Sequence, residues 1–327
     1  MKSMIRAALI VIVLVIVPVA EAAQPGNHKS SSSEPNTIAA EGLPGGSIAS
    51  ELDIPYAGTR NPMQRLDLFL PKDHRAVKLP VIVFFHGGGW MSGDKADGAQ
   101  RLTPFVRTGQ YAGVSVNYRL SREAKWPAQL DDIKAAIRWV RENATKYGFD
   151  PDHIGVWGPS AGGHLALMLG VTGDVPERVE SGSRRDMSSK VAAVANFFGV
   201  TDMPALLLEP CETDHSGADA PEALLIGGPI GENTEKAKSA SPTTFVTAGD
   251  PPVLTVHGDA DPKVPYDQAV LLDAALREAG VPRYFVTVKG GGHGDFGTAA
   301  DDRVKAFFDR YLRGETVRIS TETITDW

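Results

Sequence analysis

The chain has 327 residues, 42% of them hydrophobic, and carries 33 basic against 40 acidic side chains for a formal charge of −7. That size and apolar content suffice for one large core-forming domain, while the acidic balance argues against nucleic acid or an anionic membrane as partner. Cys211 is the single cysteine, so no internal disulfide is available to hold the fold.

Lys2 and Arg6 precede an apolar run from Ala7 to Ala20, and Ala20-Glu21-Ala22 forms a small-x-small triplet. Residues 1–22 therefore read as a secretory signal peptide cut before Ala23, which predicts a secreted or periplasmic protein. The apolar run, about 14 residues, falls short of the roughly 20 that span a bilayer, so no stable membrane anchor is expected. Cleavage removes two bases and one acid and leaves a charge of −8. Residues 23–48, rich in Ser, Pro, Gly and Ala, read as a flexible leader. One folded domain is expected over 49–314, followed by a tail at 315–327 whose alternating polar and β-branched residues suggest no function.

Within that domain, RLDLFLP (65–71) alternates like an edge strand. More continuously apolar runs at 81–85, 114–118, 154–158, 191–199, 253–258 and 284–290 predict strands covered on both faces. Between them, Leu130, Ile133, Ile137 and Val140 mark one face of a helix over 127–146. Further helices are expected after Ser160, over 267–279 and over about 300–312. Alternation of strand and helix predicts an α/β fold with a mainly parallel central sheet and helices on both faces. The stretches 174–190 and 203–250 interrupt this rhythm and are expected to form cap-like insertions near the strand ends.

The chemistry starts at VWGPSAGGH, where Ser160 stands between an apolar strand and a helical run, with glycines two before and two after it. That frame permits a tight strand-to-helix turn presenting the hydroxyl at the sheet edge, and the alternative role is a capping serine. A serine nucleophile needs a base and an orienting acid. His28 and His74 lie in polar segments, His215 in a polar loop, His153 before a strand, and His164 one turn beyond Ser160 where packing is expected. His293, in KGGGHGDF after the last predicted strand, is able to reach across the sheet edge as base. The acid is sought in VHGDADPKVP, where Asp261 is favoured over Asp259, with Asp202 an outside choice one strand earlier. Finally, HGGGWM at 86–91 brings Gly87, Gly88 and Gly89 to a strand end, where their amides and that of Ala161 suit an oxyanion hole. His86 is read as a brace for this loop, and Trp90 and Met91 as candidates for lining a substrate pocket. No cofactor is called for, and no cluster has metal-ligand spacing.

In this order and spacing, HGGGW, GPSAGGH, HGDADPKVP and GGGHG resemble the α/β-hydrolase esterases of the hormone-sensitive-lipase-like and BD-FAE-like group, over roughly residues 50–313. Pro159 stands where many of the lipase branch carry an acid, which favours the BD-FAE-like side. The resemblance implies an α/β-hydrolase fold with Ser160, Asp261 and His293 as triad. It also implies hydrolysis of carboxylic esters, of short acyl, acetyl or feruloyl type, through an acyl-enzyme, with a small-molecule or polysaccharide-linked ester as partner. An amidase or peptidase of the same fold, and a binding protein without turnover, remain alternatives.

Overall fold

The computed structural model describes residues 46–72, 78–173 and 187–327. Chain contacts divide the protein into Met1–Glu34 and Pro35–Trp327, and every described residue belongs to the second unit. The signal-peptide reading of 1–22, nearly all of the leader and most of the 174–190 insertion lie outside the described residues.

The first elements are β1 (Ile48–Pro55), β2 (Arg65–Pro71), β3 (Leu79–Phe85), α1 (Asp97–Arg107), β4 (Ala112–Val116), α2 (Ala128–Glu142) and α3 (Ala144–Tyr147). They are followed by β5 (Phe149–Pro159), α4 (Ala161–Val171), β6 (Ala193–Phe197), α5 (Pro221–Ile226), α6 (Thr234–Ser239), β7 (Val253–Gly258), α7 (Asp267–Glu278), β8 (Arg283–Val288) and α8 (Gly297–Arg313). The strands form one eight-stranded sheet in the order β1-β2-β4-β3-β5-β6-β7-β8. The β1–β2 and β2–β4 pairs are antiparallel, and every other pair is parallel. This is the mainly parallel sheet expected of an α/β-hydrolase.

Period-two alternation sorts the strand residues between two cores. Val81, Val83 and Phe85 face the layer of α2, α4 and α7, represented by Ile133, Ile137, Leu165 and Leu272. Ile82, Phe84 and Trp157 face α1 and α8, represented by Leu102, Phe105, Val304 and Phe308. Each fully buried side chain of this size contributes roughly 1.5–3 kcal/mol through removal from water, so both faces of the sheet are held firmly.

Three expectations need correction, and one helix was not expected. RLDLFLP is not at the edge: β1 pairs outside it, and six of the seven residues of β2 are buried. Strand β1 begins at Ile48, so the fold starts just before the expected boundary at 49. The helix expected over 127–146 breaks at Asn143, whose side-chain amide donates to Trp139 O at 2.9 Å, as a helix-terminating asparagine does. Helix α1 was not anticipated, because Gly98 and Pro104 interrupt its pattern. The 203–250 insertion holds only two helices of six residues each, with one short 3-10 turn before them, one between and one after. The tail is attached to the sheet edge: Ile324 bridges Val288, and the Trp327 indole meets the Phe296 ring edge-on.

Candidate active site

Ser160 sits between the end of β5 and the start of α4 with φ 53° and ψ −122°, a conformation costly for any residue but glycine. Two glycines make this turn possible. A Cβ at Gly162 would lie 2.1 Å from Phe85 O, and one at Gly158 would lie 2.5 Å from the Gly162 carbonyl carbon. The backbone of β3 therefore touches the turn directly, and the Ser160 N–H is held by Phe197 O at 2.8 Å. Strain at the serine is balanced by close packing on two neighbouring strands.

His293 reaches this serine from the loop between β8 and α8. Its Nε2 lies 2.9 Å from Ser160 Oγ and its Nδ1 2.8 Å from Asp261 Oδ2. A carboxylate only accepts, so Nδ1 carries the proton and the neutral ring's Nε2 is left to accept the serine O–H. The His293 ring packs at 4.6 Å against Phe198, whose own φ is 40°. Asp261 follows β7 with its side chain fully buried, and its Oδ1 accepts the amides of Lys263 (2.8 Å) and Val264 (3.0 Å). Burial works against its charge, yet hydrogen bonds from His257 and His293 and from the Val264 amide outweigh burial and hold the carboxyl well below the ordinary carboxylate range.

The competing acids lie elsewhere. Asp259 binds Lys289 Nζ (2.9 Å) and the Gly290 amide (2.6 Å), and Asp202 accepts from Ala205 N (3.1 Å) and Thr243 Oγ1 (3.0 Å). One neighbour of the acid was not anticipated: His257, wholly buried, lies with Nε2 3.0 Å from Val264 O and 3.4 Å from Asp261 Oδ2.

The glycine loop lies opposite the serine. Gly88 has φ 104°, and a Cβ there would meet Ser92 O at 2.2 Å, so only glycine fits the tight turn in which Gly88 O accepts from Met91 N and Ser92 N. Among the described residues the amides of Gly88 and Gly89 make no hydrogen bond, and both residues line the cavity with Ser160. Ala161 is the first residue of α4, where the amide has no intrahelical acceptor and the helix dipole is positive. Gly87 packs against the nucleophile turn, where a Cβ would lie 3.7 Å from Ser160 Cβ, and its carbonyl is bound by His86 Nδ1 at 2.8 Å. His86 also stacks on Tyr118 at 4.3 Å, and burial lowers its pKa.

The cavity has a volume of about 480 Å³ and includes Trp90 and Met91 in its lining. Trp90 is nevertheless almost wholly buried, with Nε1 donating to His164 Nδ1 at 3.2 Å. His164 donates in turn from Nε2 to Ala240 O at 2.7 Å, and burial drops its pKa to about 4, so it is a neutral packing residue. The 203–250 insertion supplies one wall through Thr213, His215, Pro221 and Glu222. His215 and Glu222, seven residues apart in the insertion, pair with each other and line the cavity, and no motif in the sequence marks them for this.

The BD-FAE family model matches residues 66–276, which takes in Ser160 and Asp261 and ends before His293. Esterase LipC of Mycobacterium tuberculosis is 32% identical over 238 residues, covering 72% of this chain and 57% of that protein. Esterase LipQ of the same organism is 34% identical over 235 residues, covering 71% and 54%. The chain thus spans little more than half the length of the curated relatives it matches. A solved structure described as a truncated form of a carbohydrate esterase from gut microbiota is 35% identical, with a TM-score of 0.74, over 81% of this chain and 96% of that one.

Proposed function

The chain belongs to the BD-FAE family of the α/β-hydrolase fold, and from that premise we propose that it is a serine carboxylic-ester hydrolase working through an acyl-enzyme on Ser160. The observation that carries this reading is the continuous hydrogen-bonded line Asp261–His293–Ser160, at 2.8 and 2.9 Å, opposite unengaged loop amides.

Ser160 Oγ attacks the ester carbonyl carbon as its proton passes to His293 Nε2. The imidazolium so formed is stabilised by Asp261, which stays ionised throughout. Negative charge on the carbonyl oxygen is received by the amides of Gly88, Gly89 and Ala161, each such donor being worth on the order of a hundredfold or more in rate. Protonated His293 gives its proton to the leaving alkoxide, and the alcohol departs. Water then enters, His293 takes its proton, and the hydroxide attacks the acyl carbon. Collapse of the second tetrahedral adduct returns the proton to Ser160 and releases the acid.

Short acyl, acetyl and feruloyl esters, free or carried on a polysaccharide, make up the proposed substrate range. A carbohydrate esterase among the similar structures supports this range. Export through residues 1–22 belongs to the same reading and rests on their sequence pattern alone. The test compares wild type with Ser160→Ala on p-nitrophenyl acetate, butyrate and octanoate and on methyl ferulate. Serine-dependent turnover is expected. Equal rates for the two proteins on every ester would overturn the reading.

A further inference from the structure

The cavity wall carries an ion pair that the catalytic cycle does not use. His215, in the 203–250 insertion, and Glu222, in the first turn of α5, have side chains only 4% and 3% exposed, and both line the cavity that contains Ser160. His215 Nδ1 lies 3.1 Å from Glu222 Oε2, and its Nε2 lies 3.0 Å from Lys263 O. A carboxylate and a carbonyl both accept, so both ring nitrogens carry protons and the ring is an imidazolium. Burial opposes this charge, but the Glu222 carboxylate outweighs burial, and the His215 pKa is pushed up to about 9.

The pair is therefore neutral as a unit and rigid in its orientation. His215 is anchored at Lys263, on the loop that carries Asp261, and it fixes Glu222 through one oxygen. Among the described residues, Glu222 Oε1 makes no hydrogen bond. The preceding residue, Pro221, abuts the oxyanion loop: a Cβ at Gly89 would lie 3.4 Å from Pro221 Cβ. Glu222 thus lines the cavity one residue beyond the contact with the glycine loop, and its second carboxylate oxygen is left without a protein partner among the described residues; Phe198 lines the same cavity.

An ionised acceptor on the cavity wall favours a ligand that brings a donor, because a substrate that displaces its water without replacing the hydrogen bond leaves the charge unpaired. A carboxylate on the substrate would be repelled, and an apolar alcohol would leave the oxygen unpaired. A hydroxyl satisfies it, and esters of polyhydroxylated alcohols carry several on the leaving group. We propose that Glu222, oriented by His215, is a specificity-determining residue that accepts a hydrogen bond from a substrate hydroxyl and selects esters of polyhydroxylated alcohols, such as O-acetylated sugars. The inference rests on the serine-esterase reading and deepens it.

Two acetates of equal ring size test it: a mono-O-acetyl hexose, with free hydroxyls, and cyclohexyl acetate, with none. The readout is the ratio of kcat/KM for the two. Wild type favours the sugar ester, and the double variant His215→Leu/Glu222→Leu, which removes the pair without leaving an isolated charge, lowers the ratio about tenfold or more. Glu222→Gln keeps the shape, but its amide oxygen must face the His215 Nδ1–H, so an NH2 donor replaces the free carboxylate oxygen. Because a hydroxyl also accepts, the ratio falls by a smaller factor, and this variant carries the test if the double variant fails to fold. An unchanged ratio, with the two rates falling together, would make the pair a purely structural latch and overturn the proposal. If the wild type hydrolyses neither acetate in a Ser160-dependent way, the esterase reading itself fails and the inference falls with it.

Discussion

Asp261→Asn changes one atom and is expected to cost about four orders of magnitude in kcat, or about 5.5 kcal/mol of transition-state stabilisation. The structure dictates how the new amide must point. Oδ1 accepts two backbone N–H groups, from Lys263 at 2.8 Å and Val264 at 3.0 Å, so the amide oxygen has to occupy that position. The NH2 group then takes the place of Oδ2, 2.8 Å from His293 Nδ1. Facing a donor, Nδ1 becomes the acceptor, the ring proton moves to Nε2, and the base is blocked at the atom that faces Ser160. Steady-state hydrolysis of p-nitrophenyl acetate measures the loss, with Asp259→Asn as comparison. Because Asp259 is engaged by Lys289 and Gly290 rather than by His293, its variant is expected to keep kcat within about tenfold of wild type. A comparable loss in both variants, or an Asp261→Asn enzyme within about tenfold of wild type, would refute the tautomer argument.

Gly162→Ala places a methyl 2.1 Å from Phe85 O, a backbone atom that cannot step aside. The expected result is destabilisation of about 3 kcal/mol or more, read as a lowered midpoint in urea; a midpoint equal to that of wild type would show that β3 does not pack on the turn as described. His164 supplies a pH signature. Its pKa in the fold, about 4, lies below the unfolded value of 6.5, so its contribution to stability is complete above pH 6.5 and is lost as pH falls towards 4. Urea midpoints from pH 7 to 4 should decline more steeply for wild type than for His164→Gln, and equal slopes would contradict the buried neutral ring.

Much of this site is legible in the sequence because its geometry is local. The turn at Ser160 and the loop at Gly88 are shaped by glycines within a few residues, and those glycines are written beside the functional atoms. Asp261 and Asp259 share one local context, and what separates them is distant: His293 takes one, and Lys289 with the Gly290 amide takes the other. His215, Glu222 and His257 are harder still: their nearest partners lie four to seven residues away in irregular connections with no periodic pattern, and His215 also reaches Lys263, 48 residues on. The same logic holds for the missed elements. In β1 the burial alternates along the whole strand, but Ser50 stands in the inner set with Ile48, Leu52 and Ile54, and Asp53 and Pro55 are poor strand formers, so the sequence signal is weak. In α1, Pro104 within the helix obscures an otherwise amphipathic pattern.

The most direct test of the central claim is covalent trapping. The intact protein is incubated with diethyl p-nitrophenyl phosphate, an agent that transfers its phosphoryl group to an activated serine, and its mass is measured before and after. One diethylphosphoryl group per chain is predicted, located on the peptide that contains Ser160 and absent from Ser160→Ala and, over the same time, from His293→Ala. Loss of ester hydrolysis without such an adduct, or an adduct on another residue, would contradict Ser160 as the nucleophile.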